Sequence, residues 1–548
     1  MKVFFIVLFS FLSISCNVHV ERNTLAELFP IITKKSTVSP TVSPTVPLSI
    51  PPTLSFSYSE TNLKFFQNQG ISTQVPILNF TPQSCTSSIP FPTGLLLDSN
   101  TCSISGTPTD YFLPTDITIT ASDGSSTVNT TIKLQVEPKL FTLQNGGSGG
   151  SLYTRGISYS GNYYYFSGST NVGIDGLTQT GTYDFFFSKF DLSGNRLWTT
   201  IKGVAGSTVR SFGRHGIDSQ GNLYVTGHSD GDVCGDGRIG TADVFVLKIT
   251  VDGSIEYCKH FGVSGGSIIG YNIALDSSNN IYLTGTSDTN FGGSTRVGLL
   301  DLFLIKLDSS ANLLWIKQFG AINAETYVNG INVDSSGNVY LAGNCWGSLF
   351  GNAEIGTYDA FVAKFDSDGN YLNSFYAGAS GVGTLFRDVM VDGNGNVYGF
   401  GFTQGSILGN TLSGTEDALI VKLDSSLNIQ WARQFGGVNG TATRGYGGEI
   451  DSNNNVLITG STTGSILNHT LKGNRDFWLV KYDTNGNLLN STQLGTTSAT
   501  IFSLYIVRNV FDQIIHGGYI SGTGYDGNTL KGTIDYFITT NASNFPQE

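Results

Sequence analysis

A chain of 548 residues with 39% hydrophobic and only 13% charged residues is long enough for more than one folded domain and can bury a large core. Its formal charge of -12 argues against a nucleic-acid partner, because phosphate binding needs a basic surface. Sixty-nine glycines, two methionines and the lack of apolar runs at helical spacing exclude a helical bundle and point to an all-β protein with many tight turns.

At the amino terminus Lys2 precedes an apolar run from Val3 to Leu12, then Ser13-Ile14-Ser15-Cys16. A basic residue, about ten apolar residues and small residues before a cleavage point describe an export signal over residues 1–15, too short to span a bilayer. The cysteine directly after the small residues resembles the lipobox of bacterial lipoproteins, in which that thiol is acylated and becomes the mature N-terminus. The usual Leu three residues before the cysteine is Ser13 here, with Leu12 one step further out. The resemblance implies lipidation of Cys16 and a place in the cell envelope, at the outer membrane and surface-exposed, with plain secretion as the alternative. Buried acyl CH2 groups contribute about 0.8 kcal/mol each, so two or three chains anchor stably. Residues 16–53 turn Pro/Ser/Thr-rich, as in Val38-Ser39-Pro40-Thr41-Val42-Ser43-Pro44-Thr45-Val46-Pro47. Repeated proline stiffens such a tether toward polyproline II, at about 3.1 Å per residue.

Residues 54–137 carry alternating stretches, Ile117-Thr118-Ile119-Thr120-Ala121 and Thr131-Ile132-Lys133-Leu134-Gln135-Val136, that read as half-buried antiparallel strands. Asp123-Gly124 between them is a hairpin signal. Pro92-Thr93-Gly94-Leu95, then Ile104-Ser105-Gly106-Thr107-Pro108, resembles the Ig-like domains (He_PIG type) of bacterial surface proteins. That resemblance implies a small β-sandwich serving as a spacer or adhesive module.

From Pro138 to Glu548 an aspartate recurs every 58 or 59 residues: Asp184, Asp243, Asp301, Asp359, Asp417, Asp476 and Asp535, each with a glycine three residues before it. A fixed period of this length marks a repeat architecture. Within one unit, Asp334-Ser335-Ser336-Gly337-Asn338 and Asp366-Ser367-Asp368-Gly369-Asn370 join strands one to two and three to four, with Asp starting each tight turn. Four strands per unit and seven units predict a seven-bladed β-propeller. The seventh unit runs out without a fourth strand, and Lys139-Leu140-Phe141-Thr142-Leu143-Gln144-Asn145-Gly146 matches the fourth-strand phrase Leu313 to Gly320. This predicts N-terminal strand closure of the last blade, strand one innermost and strand four outermost. The units resemble the SBBP (seven-bladed β-propeller) repeats of bacterial surface and secreted proteins. That resemblance is specific for fold and nearly silent on function.

Because a position filled in every blade serves the frame, the repeated aspartates read as ties for the loop before strand three. The lysine five residues after each of the first six, from Lys189 to Lys481, reads as its partner in the pattern. Phe186, Phe245, Phe303, Phe361, Trp478 and Phe537 read as core. Asp230, Asp232 and Asp236 are weak candidates for a Ca2+ loop. No bidentate Glu follows, as an EF-hand needs, and no cofactor is otherwise implied. In an exported protein Cys85 with Cys102 and Cys234 with Cys258 are disulfide candidates, leaving Cys345 as a buried thiol. The six histidines show no metal spacing, and neither a Gly-x-Ser-x-Gly elbow nor a His-Glu-x-x-His occurs, which points away from catalysis.

The loops between strands two and three keep their length but change their content, which is what a recognition surface needs. Trp346 and Phe350 are the most conspicuous large apolar residues there and the candidate contact surface. The leading reading is a membrane-anchored surface lipoprotein that binds a macromolecular ligand, protein or glycan, without catalysis. One alternative is an extracellular polysaccharide lyase or hydrolase drawing residues from several blades; another is a passive spacer. Carboxylate, His or Arg side chains converging in one deep cleft would favour the enzyme.

Overall fold

The computed structural model describes residues 53–438 and 440–541, so the export signal, Cys16 and the tether up to residue 52 lie outside it. Every regular element among the described residues is a strand, and no helix is long and apolar enough to cross a membrane.

The amino-terminal region builds a four-stranded sheet in the order Asn62–Phe66, Thr127–Glu137, Phe112–Ser122, Ser84–Ser87. Two small two-stranded sheets accompany it. The first strand runs parallel to its neighbour and the other pairs are antiparallel. Alternation puts Ile117, Ile119, Ile132 and Leu134 on the buried face beside Leu63 and Ile104. The Cys85–Cys102 disulfide lies in the same core, with Cα atoms 5.3 Å apart. At the hairpin, Asp123 Oδ1 accepts from the backbone N–H of Ser125 and Ser126.

Seven further sheets follow, six with four strands and the second with its first strand split into Val209–Ser211 and Gly216–Ile217. In the fourth sheet the strands are Thr326–Val333, Val339–Cys345, Asp359–Phe365 and Tyr371–Ala377, all antiparallel. Seven isolated parallel bridges join successive sheets, from Tyr183–Thr208 round to Ser151–Ile534, which links the seventh to the first. The seventh sheet takes its outer strand, Thr142–Asn145, from the start of the region, where it pairs with Asp535–Asn541.

Three repeated devices explain why these residues fold this way. In each Asp-x-x-Gly-Asn turn the aspartate holds its own loop: Asp334 Oδ1 accepts from Ser336 N and Asn338 N, and Oδ2 from Asn338 Nδ2. The two middle strands are buried along all or most of their length, completely so in Val339–Cys345 and Asp417–Leu423, and Phe186, Phe245, Phe303, Phe361, Trp478 and Phe537 are fully enclosed. The repeated lysine does not reach the aspartate five residues before it. In four sheets its Nζ bonds to a turn carbonyl of the next sheet: Lys189 to Val251, Lys306 to Ser367, Lys364 to Ser425 and Lys422 to Thr484, at 2.8–2.9 Å. Lys248 and Lys481 instead pair with Glu256 and Asp451. The lysine side chain extends toward the hairpin end of its strand, whereas the aspartate sits at the opposite end.

The amino-terminal region meets the hairpin rim of the seven-sheet assembly. Ser193 Oγ, in a turn of the first sheet, donates to Gln67 Oε1 at 3.2 Å, and Tyr111 meets Phe511 edge-on at 6.4 Å. Gln513 Nε2 donates to Pro138 O at 3.0 Å.

Candidate functional site

The seven repeated aspartates are fully buried and act on their own loops. Asp359 Oδ2 accepts from Ile355 N at 2.6 Å and Oδ1 from Gly356 N at 2.9 Å. The same pair of bonds recurs at Asp184, Asp243, Asp301, Asp417, Asp476 and Asp535. A strand-four glutamine adds a third donor in four sheets, for example Gln318 Nε2 to Asp301 Oδ2 at 3.0 Å. The preceding glycine is required by close approach: a Cβ on Gly298 would collide with the carbonyls of Ala321 and Ala324. Fully buried and turned toward their own loops, these carboxylates are closed off from solvent.

A different column faces open space. The first strand of six sheets carries a register shift of one residue, after Thr154, Gly270, Val328, Phe386, Gly445 and Ser503. The second sheet breaks its first strand after Ser211, at the equivalent point. A bulge leaves one residue unpaired and re-aims its side chain. The residues so placed are Arg155, Phe212, Tyr271, Asn329, Arg387, Tyr446 and Leu504. Each is half-buried, and all seven line one cavity of about 370 Å³. Gly213, Arg444, Phe502, Tyr505 and Tyr519 complete its wall. The bulges fall at the middle of the strand in the seventh sheet and, in the others, on the side nearer the loops between strands two and three. The mouth therefore opens on the rim opposite the hairpins.

The wall holds three arginines, four tyrosines, two phenylalanines and no carboxylate or histidine. Arg444 is held by Glu416, with Nη2 2.9 Å from Oε1. Arg155 and Arg387 have no carboxylate partner among the described residues. Arg155 lies over the rings of Tyr153, Phe212 and Tyr519 at 5.4–5.9 Å, and Arg387 over Phe402 at 5.9 Å. The buried Nε of Arg387 has no hydrogen-bond partner. Burial pushes the Tyr505 hydroxyl up to about 12 and raises Tyr271 and Tyr519 as well. Deeper in, Arg214 Nε donates to Asp388 Oδ2 at 3.0 Å, and its Nη2 bonds to the carbonyl of Gly448. Burial raises the Glu449 carboxyl nearby, against the pull of Arg214.

Other sequence candidates lie elsewhere. Phe350 stacks on Tyr371 at 4.6 Å and packs among Phe319, Phe361 and Phe365, so its ring is used inside the fourth sheet and its neighbour. Trp346 rests between Tyr358 and Tyr327, at 4.8 and 5.6 Å, and does not line the cavity. Cys234 and Cys258 are bonded, and burial pushes the free Cys345 thiol up to about 11. Asp230 Oδ1 accepts from Thr208 N, while Asp232 and Asp236 gather beside His260. His215 and His516 are buried and pushed down to about 3 by desolvation. The bulge column was open to sequence reasoning by one route: in the aligned repeats, the residue 29 to 31 places before each aspartate never settles on one type.

Two stretches, residues 256–292 and 314–351, match the family model described as a beta-propeller repeat, SBBP. In these two stretches the chain carries SBBP beta-propeller repeats. No curated protein matches the sequence. Among solved structures, a polysaccharide lyase of family PL25, an ulvan lyase, is similar at 10% identity over 74% of this chain and 97% of that one, with a TM-score of 0.45. The polysaccharide lyase Uly1 is similar at 10% identity over 71% and 90%, TM-score 0.40. The rhamnogalacturonan lyase YesW covers 90% and 92% at 12% identity, TM-score 0.37.

Proposed function

We propose that this is a lipid-anchored surface protein that binds an acidic glycan, without catalysis, in the mouth of a seven-bladed propeller. In this reading the seven sheets are the blades, the amino-terminal sheets are an Ig-like spacer, and Cys16 carries the lipid. The observation that carries the binding site is the ring of bulged residues, with Arg155 and Arg387 unpaired among aromatic rings. An unpaired guanidinium in a partly desolvated wall costs free energy until an anion meets it, and its fork geometry suits carboxylate or sulfate. Aromatic rings supply flat apolar faces around a few directed polar groups, the usual build of a ligand pocket, and the volume is within the usual range.

The enzyme reading has a specific observation on its side: arginines and tyrosines from several sheets converge in one cleft. Two facts weigh against it. Glycoside hydrolysis needs a pair of carboxyl groups flanking the bond, and the wall contains none. A lyase needs a base, and the wall offers no histidine or carboxylate for it, only phenols that are protonated at neutral pH.

The test is a glycan array probed with the full chain in detergent micelles, followed by incubation with each bound polymer. Retention of carboxylated or sulfated glycans, lost on Arg155→Ala with Arg387→Ala, is expected. A blank array, or the appearance of unsaturated uronyl products, would replace the binding reading with another.

A further inference from the structure

The second sheet lacks a device that four of the others share. At one strand-four position the third, fifth, sixth and seventh sheets have Gln318, Gln434, Gln493 and Gln144. Each takes the backbone N–H of the loop on Oε1 and gives Nε2 to the repeated aspartate; for Gln318 these are Phe291 N at 2.8 Å and Asp301 Oδ2 at 3.0 Å. The second sheet has His260 there, opposite Phe245. Its side chain is 1% exposed, and neither ring nitrogen has a hydrogen-bond partner. Leaving a buried polar group unsatisfied costs about 1–3 kcal/mol. Asp236 Oδ1 stands 3.0 Å from Nδ1 but out of line for a hydrogen bond, and Asp232 Oδ1 is 3.8 Å away. The Cys234–Cys258 disulfide fixes the loop that carries both carboxylates against the strand that carries the imidazole. Cys234 Sγ, the Asp236 carboxylate and the His260 nitrogen all lie within 4.8 Å of one another.

We propose that His260 Nδ1 and Asp236 Oδ1, with the Asp232 carboxylate (whose Oδ1 also accepts from Gly235 N at 2.7 Å) completing the set, bind a borderline divalent cation of the Zn2+ class, with the disulfide intact. An imidazole and two carboxylates are ligands such ions accept, and three protein ligands leave a position for water. Ca2+ fits poorly, because it takes six to eight oxygens and no imidazole. Asp232 and Asp236 are 41% and 49% exposed, so the open position faces solvent on the loop rim. The ion would do for this loop what glutamine does for its counterparts, and would place a positive charge on that rim.

The full chain, purified without reductant, is dialysed against Zn2+ and its metal content measured. One tightly held Zn2+ per chain is expected. His260→Gln installs the residue used by four other sheets, so the fold is retained, and Zn2+ affinity falls at least tenfold. Asp236→Asn, at an exposed side chain, gives a similar loss, while Asp368→Asn leaves uptake unchanged. No uptake by the unaltered chain, undiminished uptake by folded His260→Gln, or displacement of Zn2+ by equimolar Ca2+ would overturn the assignment. So would uptake that begins only after a dithiol opens the disulfide, since the ligands would then be thiolates.

Discussion

The two rims of the seven-sheet assembly are built from the same repeat and treat it in opposite ways. On the hairpin rim the chain uses one solution many times: an aspartate folds its own turn, and in four sheets a lysine reaches the next sheet's turn. On the loop rim the backbone is just as regular, with a buried aspartate anchoring each loop and the first strand interrupted at the same point in each sheet. The side chains released there are Arg155, Phe212, Tyr271, Asn329, Arg387, Tyr446 and Leu504, a set with no common chemistry. The lesson is that the repeat spends its constancy on holding the loop rim still, so that the residues presented there are free to differ.

Substitutions should separate these two kinds of position. Asp301→Ala strands the N–H groups of Val297, Gly298 and Gln318, so a loss of about 3–5 kcal/mol is expected in urea unfolding. A loss under ~1 kcal/mol would mean that the aspartates are not the frame. Replacing Cys85 and Cys102 by serine frees a 17-residue separation and should lower stability by about 3 kcal/mol, seen as an earlier thermal transition. Acid acts gradually, over several pH units. His215 and His516 have folded-state values near 3, below the unfolded value near 6.5, so the unfolded chain binds more protons between those limits. Their contribution is complete above about pH 6.5 and declines as pH falls toward 3, by up to about 1.4 kcal/mol per pH unit for each group. A urea midpoint flat from pH 7 to 4 would contradict this. Arg387→Ala should change stability by less than about 1 kcal/mol, because it removes an unsatisfied buried Nε and no ion pair. A large loss of stability there would mean that the mouth residues belong to the frame after all.

The division between the rims also explains what was legible beforehand. The Asp-x-x-Gly-Asn turns and the repeated aspartates are local chemistry: Asp334 and Asp359 hold residues within four positions of themselves, so the pattern of residue types carries the structure. The outer strand borrowed from Thr142–Asn145 was readable because it copies a phrase found in the other units. The lysines were legible as part of the frame but not their partners, since Lys364 shares a strand with Asp359 but spends its charge on Ser425 in the next sheet. Trp346 and Phe350 drew attention by size, yet Phe350 is ringed by aromatics that sequence distance hides. The bulge column escaped notice because its one sign in the sequence is a position without a preferred residue; Arg155 and Arg387 are unremarkable until the register is known.

The sealing of the seventh sheet has a consequence for how the chain is made. Gln144 bonds to Asp535 across 391 residues, and the two strands they belong to are the first and last of the seven-sheet assembly. During synthesis the opening strand waits for almost the entire remainder of the chain, with an unpaired edge available to any neighbour. Thr142–Asn145 is only four residues long and half-buried even when paired, which limits how strongly that waiting edge can recruit a wrong partner. The earliest strand of the ring to leave the ribosome is therefore the last to find its place.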